Sequence, residues 1–107
     1  MVKYINGKEL EALISTTDKT VFCDFWASWC GPCRMLAPVF EEVSDKYEEK
    51  AVFVKIDVDE EDSEGAAMKY NITSIPNVIA FKKGEPIANS LGFVPAETLE
   101  NFVKNNL

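Results

Sequence analysis

The sequence predicts an α/β fold: a central mixed five-stranded sheet flanked by four helices. Three observations carry that prediction. Strand-like and helix-like segments alternate along most of the chain. The run TVFCDFWA (20–27) is almost continuously apolar, as a strand covered on both faces must be. Near the C-terminal end, two strand-like runs face each other across Lys83-Gly84. A sheet that begins with parallel crossovers therefore closes with an antiparallel hairpin.

Each element has its own signal. VKYI (2–5) is a short apolar run that reads as the first strand. Asn6 followed by Glu9 has the two side chains of a capping box, and Leu10, Leu13 and Ile14 recur at helical spacing behind it. After the buried strand at 20–27, Pro32 suits a first helical turn. Leu36, Val39, Phe40, Val43 and Tyr47 then keep to one stripe. Pro38 lies inside that helix and is expected to kink it. AVFVKIDV (51–58) is the next strand, and SEGAAMKY (63–70) a short helix, weakened by Gly65 and ended near Asn71. NVIAFKKGEPIANSLG (77–92) is the hairpin. Pro95 opens the last helix, with Leu99, Phe102 and Val103 inward. No repeat, linker or low-complexity segment interrupts the series, and residues 1–107 read as a single domain.

Bulk properties exclude several function classes. A chain of 107 residues with 47% hydrophobic composition buries enough surface for one core without staples. The formal net charge is −7, which argues against partners rich in phosphate, both nucleic acid and anionic membrane. Much of the acid sits in DVDEEDSE (57–64), which reads as a solvated loop entering a helix. No run approaches the ~18 apolar residues of a membrane span, and the N-terminus shows no charged start followed by an apolar stretch. A cytoplasmic protein is expected.

Chemistry concentrates in FWASWCGPCRML (25–36). The three cysteines are Cys23, Cys30 and Cys33, and there is no histidine. A tetrahedral zinc site would be half built from one Cys pair, so no metal is expected, and no organic cofactor is called for. A purely structural disulfide between Cys30 and Cys33 would constrain the unfolded chain little, because the loop it closes is so short. The third reading is a dithiol that cycles. Cys30 falls where a buried strand and a short loop give way to a helix, and free N–H groups there favour a thiolate. Cys33 lies one turn on, on the same face and deeper, with Cα atoms about 5–6 Å apart. A thiolate that attacks a foreign disulfide makes a mixed disulfide, and a second thiol is needed to release it. Gly31 and Pro32 put no charge between the two, which favours a stable disulfide and a reducing dithiol.

At this point the chain resembles the thioredoxin family over its whole length. FWASWCGPC matches the family stretch W-x-x-W-C-G-P-C. Asp24, Lys55, Pro38, the SIP triplet (74–76), Gly84 and Gly92 match at their spacings. The resemblance implies the thioredoxin fold and a general protein disulfide reductase. In it Cys30 attacks the target disulfide, Cys33 resolves the mixed disulfide, and the two alternate with a redox-active disulfide. It implies disulfide-containing protein substrates and a thioredoxin reductase as electron donor, and a monomer is expected. Trp29, Gly31, Pro32, Lys55 and Pro76 would support the site, and the peptide bond before Pro76 would be cis. Trp29, Ile75, Pro76, Gly92 and Phe93 would form an apolar docking surface, with Ile75 offering backbone to a substrate.

Two residues carry competing readings. Asp24 stands in an apolar strand, where burial raises a carboxyl pKa. It is either satisfied by backbone donors, or paired with Lys55, or, as the resemblance favours, a proton acceptor beneath the thiols when Cys33 resolves. Lys55 either tunes Asp24 or snorkels to the surface. Two departures from the family pattern, Asn77 after Pro76 and Phe93 after Gly92, are expected near the docking surface and bear on substrate preference. Alternation points Cys23 away from Asp24, as a small buried hydrophobe.

Overall fold

The computed structural model describes all 107 residues. Five strands and four helices alternate in the predicted order: β1 (Lys3–Tyr4), α1 (Gly7–Thr16), β2 (Thr20–Trp26), α2 (Gly31–Tyr47), β3 (Ala51–Asp57), α3 (Glu64–Lys69), β4 (Asn77–Lys82), β5 (Glu85–Leu91) and α4 (Ala96–Asn105). The sheet order is β1-β3-β2-β4-β5. The first three strands run parallel, and β4 and β5 join antiparallel. β2 is therefore central, paired at both edges and covered on both faces, which is why its sequence is apolar apart from Thr20 and Asp24.

Alternation along β2 assigns side chains to two cores. Cys23 and Phe25 face one layer with Val54, Ile56, Ile79 and Phe81, covered by Leu10 and Ile14 of α1 and Ala66 of α3. Phe22 faces the other with Phe53, Val78 and Ala80, covered by Leu36, Phe40 and Val43 of α2 and Leu99 and Val103 of α4. Asp24 alternates with Cys23 and so lies on the α2/α4 face.

Local chemistry explains the boundaries. Asn6 accepts the Glu9 N–H and Glu9 accepts the Asn6 N–H, which completes the capping box of α1. The β4–β5 turn uses Lys83 at φ 53° and Gly84 at φ 82°, the left-handed pair that a two-residue hairpin needs. Asn71, at φ 56°, ends the segment after α3. α2 continues as one helix through Pro38. A register shift between Ala80 and Phe81 interrupts the β4–β5 ladder opposite Pro86.

Candidate active site

Cys30 is the N-cap of α2, immediately after the loop that leaves β2. Its Sγ accepts the backbone N–H of Cys33 at 3.3 Å. The sulfur thus takes one of the orphan donors at the positive end of a 17-residue helix. Cys30 and Cys33 are joined as a disulfide, with Cα atoms 5.2 Å apart. Cys33 is fully buried, while Cys30 keeps 6% of its surface exposed. That difference in access is narrow, and it runs in the predicted direction. A Cβ on Gly31 would meet nothing within 4 Å, so the space beside this residue is open. Arg34 reaches back to donate to the Ser28 carbonyl at 3.0 Å and pins the loop.

The loop before β4 closes over the same region. The Ile75–Pro76 peptide bond is cis, and the Ile75 carbonyl oxygen lies 3.7 Å from Cys30 Sγ. The Gly92 N–H donates to the Pro76 carbonyl at 2.8 Å, which ties the end of β5 to this loop. Trp29 is 68% exposed and Phe93 is 40% exposed. The Trp29 indole N–H donates to Asp59. Asp59 belongs to the acidic stretch read as plain solvated loop, and nothing local in the sequence marks it as a partner 30 residues away. Asn77 does not join the surface. It is 8% exposed, aligned with Phe25 on the other face of the sheet, and its Oδ1 accepts from Asn89 at 3.3 Å. Of the two departures from the family pattern, only Phe93 offers substantial exposed surface.

In β2, on the face that α2 covers, Asp24 is wholly buried and neither carboxyl oxygen has a hydrogen-bond partner. The backbone-satisfied reading and the direct ion pair are thus both absent. Burial pushes its pKa from an ordinary 3.8 to about 7, and the charge of Lys55 draws it partly back. Lys55 is the register partner of Asp24 on β3. Only 4% of the residue is exposed, and its ammonium, at the end of a buried stem, sits 4.5 Å from the centre of the Trp26 ring and 5.3 Å from that of Tyr4. Cys23, on the opposite face, is fully buried, and its thiol is pushed far up by burial and by the Asp24 charge.

The largest cavity, about 400 Å³ lined by Tyr70, Asn71, Asn77 and residues of β5, contains neither cysteine of the pair. Neither cysteine of the pair lines any of the three cavities of the molecule, and exposed apolar side chains, Trp29 and Phe93, are the feature of the dithiol region instead.

A vicinal dithiol at the start of a helix, on a mixed sheet with two helical layers, defines a thiol–disulfide oxidoreductase of the thioredoxin fold. The comparisons with known proteins agree. The family model described as Thioredoxin matches residues 1–105. A thioredoxin of Staphylococcus epidermidis is 50% identical over 103 residues, covering 96% of this chain and 95% of its own length. Thioredoxins of Staphylococcus saprophyticus and Staphylococcus aureus are 49% and 50% identical over 84 residues, covering 78% of this chain and 79% of their own. The chain belongs to the thioredoxin family, as a disulfide reductase with Cys30–Cys33 as its redox-active pair. Disulfide substrates and a reductase partner go with the family, and no helix is long and apolar enough to cross a membrane.

Proposed function

We propose that Cys30 is the attacking sulfur, Cys33 the resolving one, and Asp24 the acceptor of the Cys33 proton. In the reduced enzyme the Cys30 thiolate attacks one sulfur of a protein disulfide. A Cys30–substrate disulfide forms, the substrate S–S bond breaks, and the departing thiolate takes a proton. Cys33 then gives its proton to Asp24 and attacks Cys30 Sγ. The Cys30–Cys33 bond forms and the second substrate sulfur leaves as a thiolate. The substrate gains two electrons and the enzyme loses two, and a thioredoxin reductase restores them.

The observation that carries this reading is the placement of Cys30 Sγ as acceptor of the Cys33 N–H at the α2 N-terminus, with Cys33 wholly enclosed behind it. Asp24 supports the second step, because a carboxyl with a pKa of about 7 takes up and releases a proton near neutrality. Trp29, Ile75, Pro76, Gly92 and Phe93 receive the substrate on an uncharged surface, with Gly31 and Pro32 leaving the approach clear. Lys55 adjusts Asp24. The chain works as one domain and a monomer, in the cytoplasm.

The test is a pair of trapping variants. Cys33→Ser incubated with disulfide-bearing proteins should accumulate mixed disulfides on non-reducing gels, while Cys30→Ser should form none. Adducts on the Cys30 variant alone would reverse the two roles.

A further inference from the structure

Lys55 poses a question that the redox chemistry leaves open. It is 4% exposed, yet its ammonium makes no hydrogen bond and no salt bridge with any protein group. The ammonium ends a buried stem and has no oxygen partner in the protein, so what attracts it on the protein side is of another kind. It has two aromatic faces. Nζ stands 4.5 Å from the Trp26 ring centre and 5.3 Å from that of Tyr4. The two rings meet edge to face at 6.1 Å. Register explains the arrangement: in the parallel ladders Tyr4 aligns with Lys55, and Lys55 aligns with Asp24. Three strands thus place a ring, an ammonium and a carboxyl in one row on one face of the sheet.

Tyr4 has no evident part in the core. It is 68% exposed, on a strand of two residues at the sheet edge. Lysine has a flexible four-carbon stem and moves its head to water when nothing holds it. On the β1 side of the sheet, the Tyr4 ring is the group set against that head, its centre 5.3 Å from Nζ.

We propose that Tyr4 is a positioning residue: with Trp26 it forms an aromatic cage that holds the Lys55 ammonium beside Asp24, and so sets the proton affinity of that carboxyl. Cation–π attraction supplies the hold. The titratable groups on this face of the strands are Asp24 from β2, Tyr4 from β1, and Asp57 on β3 two residues beyond Lys55. α2 packs against the face with the apolar Leu36, Phe40 and Val43, and α4 with Leu99 and Val103. Cys33, at the start of α2, titrates only when the disulfide is reduced. Lys55 is therefore the cation whose position governs Asp24. The consequence for turnover rests on the role proposed above for Asp24, whereas the cage itself does not.

The experiment uses the intact chain with Tyr4→Leu and Tyr4→Phe, each alone and in a Lys55→Met background. The Asp24 carboxyl is followed by carbon-13 NMR across pH in the oxidised protein. The pH profile of single-turnover disulfide reduction is measured in parallel, and circular dichroism checks the fold. Tyr4→Leu should raise the Asp24 proton affinity by about threefold. Tyr4→Phe, which keeps the ring, should leave it at the wild-type value, and Tyr4→Leu should do nothing further once Lys55 is gone. An unmoved Asp24 titration in folded Tyr4→Leu overturns the cage, and so does a shift that persists without Lys55. If the titration moves while the pH profile of reduction stays put, the cage stands and the proton role of Asp24 falls.

Discussion

Cys23 and Asp24 are consecutive residues in the same strand, both completely buried, and they face opposite halves of the molecule. On the Cys23 side, the layer under α1 and α3 is apolar, and the thiol is silenced by burial. On the Asp24 side, the sheet holds a carboxyl without a partner and an ammonium set against two aromatic rings, and the helix that covers it, α2, begins at the disulfide. The same degree of burial thus makes one ionisable side chain inert and the other responsive. What differs is the natural range of each group. Burial moves a thiol away from neutrality and a carboxyl toward it. One half of the fold is apolar, and the other carries a costly buried carboxyl.

The comparison breaks most sharply at the dithiol. Cys30→Ser should lower the rate of insulin disulfide reduction by at least about a thousandfold, since nucleophile and exchange partner vanish together. Its fold should persist, because the lost disulfide spans only three sequence positions.

Asp24→Asn separates stability from activity. The folded pKa of about 7 lies above the ordinary 3.8, so the folded state holds this proton more tightly. The stability that follows is fully present below about pH 4 and is lost as pH rises through about 7. Asparagine cannot ionise. The variant should therefore be about 2–4 kcal/mol more stable than wild type at pH 7–8, with the gain fading toward pH 4. Denaturant unfolding at several pH values reads this directly, and a less stable variant at pH 8 would mean that the carboxylate is held by favourable contacts. In the wild type the resolving step should slow as pH falls through about 7, where Asp24 is already protonated, and the Asn variant should lack that inflection.

On the quiet face, Cys23→Ala should cost about 1–2 kcal/mol of stability through the cavity it leaves, with turnover retained. A large loss of activity in a folded Cys23→Ala would erase the contrast between the two halves. The smallest effect belongs to the cap of α1. Asn6→Ala removes the side chain that accepts the Glu9 N–H at 2.9 Å and should cost about 1 kcal/mol, measured by thermal or denaturant unfolding.

Legibility in the sequence followed the range of the interaction. The Asn6–Glu9 box, the Lys83-Gly84 turn and the Cys30–Cys33 pair are local, and residue type and spacing were enough to read them. The two-sided burial of β2 was visible in its composition. The surroundings of Lys55 were not, because they depend on β1 and β2 lying on either side of β3, and sheet order has no local signature. The bond from Trp29 to Asp59 escaped for the same reason. Asn77 was expected near the docking surface, but its side chain takes the other face of the sheet, which proximity in sequence to Pro76 does not reveal.

The two edges of the sheet have a consequence for behaviour in concentrated solution. Exposed strand edges invite foreign strands, and the outcome is aggregation. One edge here, β1, is only two residues long. The other, β5, contains Pro86, which has no N–H to donate, set opposite the register shift between Ala80 and Phe81. Neither offers a long regular template for an incoming chain. A reductase that meets partly unfolded substrates, with their own strands unpaired, can therefore release them without being drawn into a shared sheet.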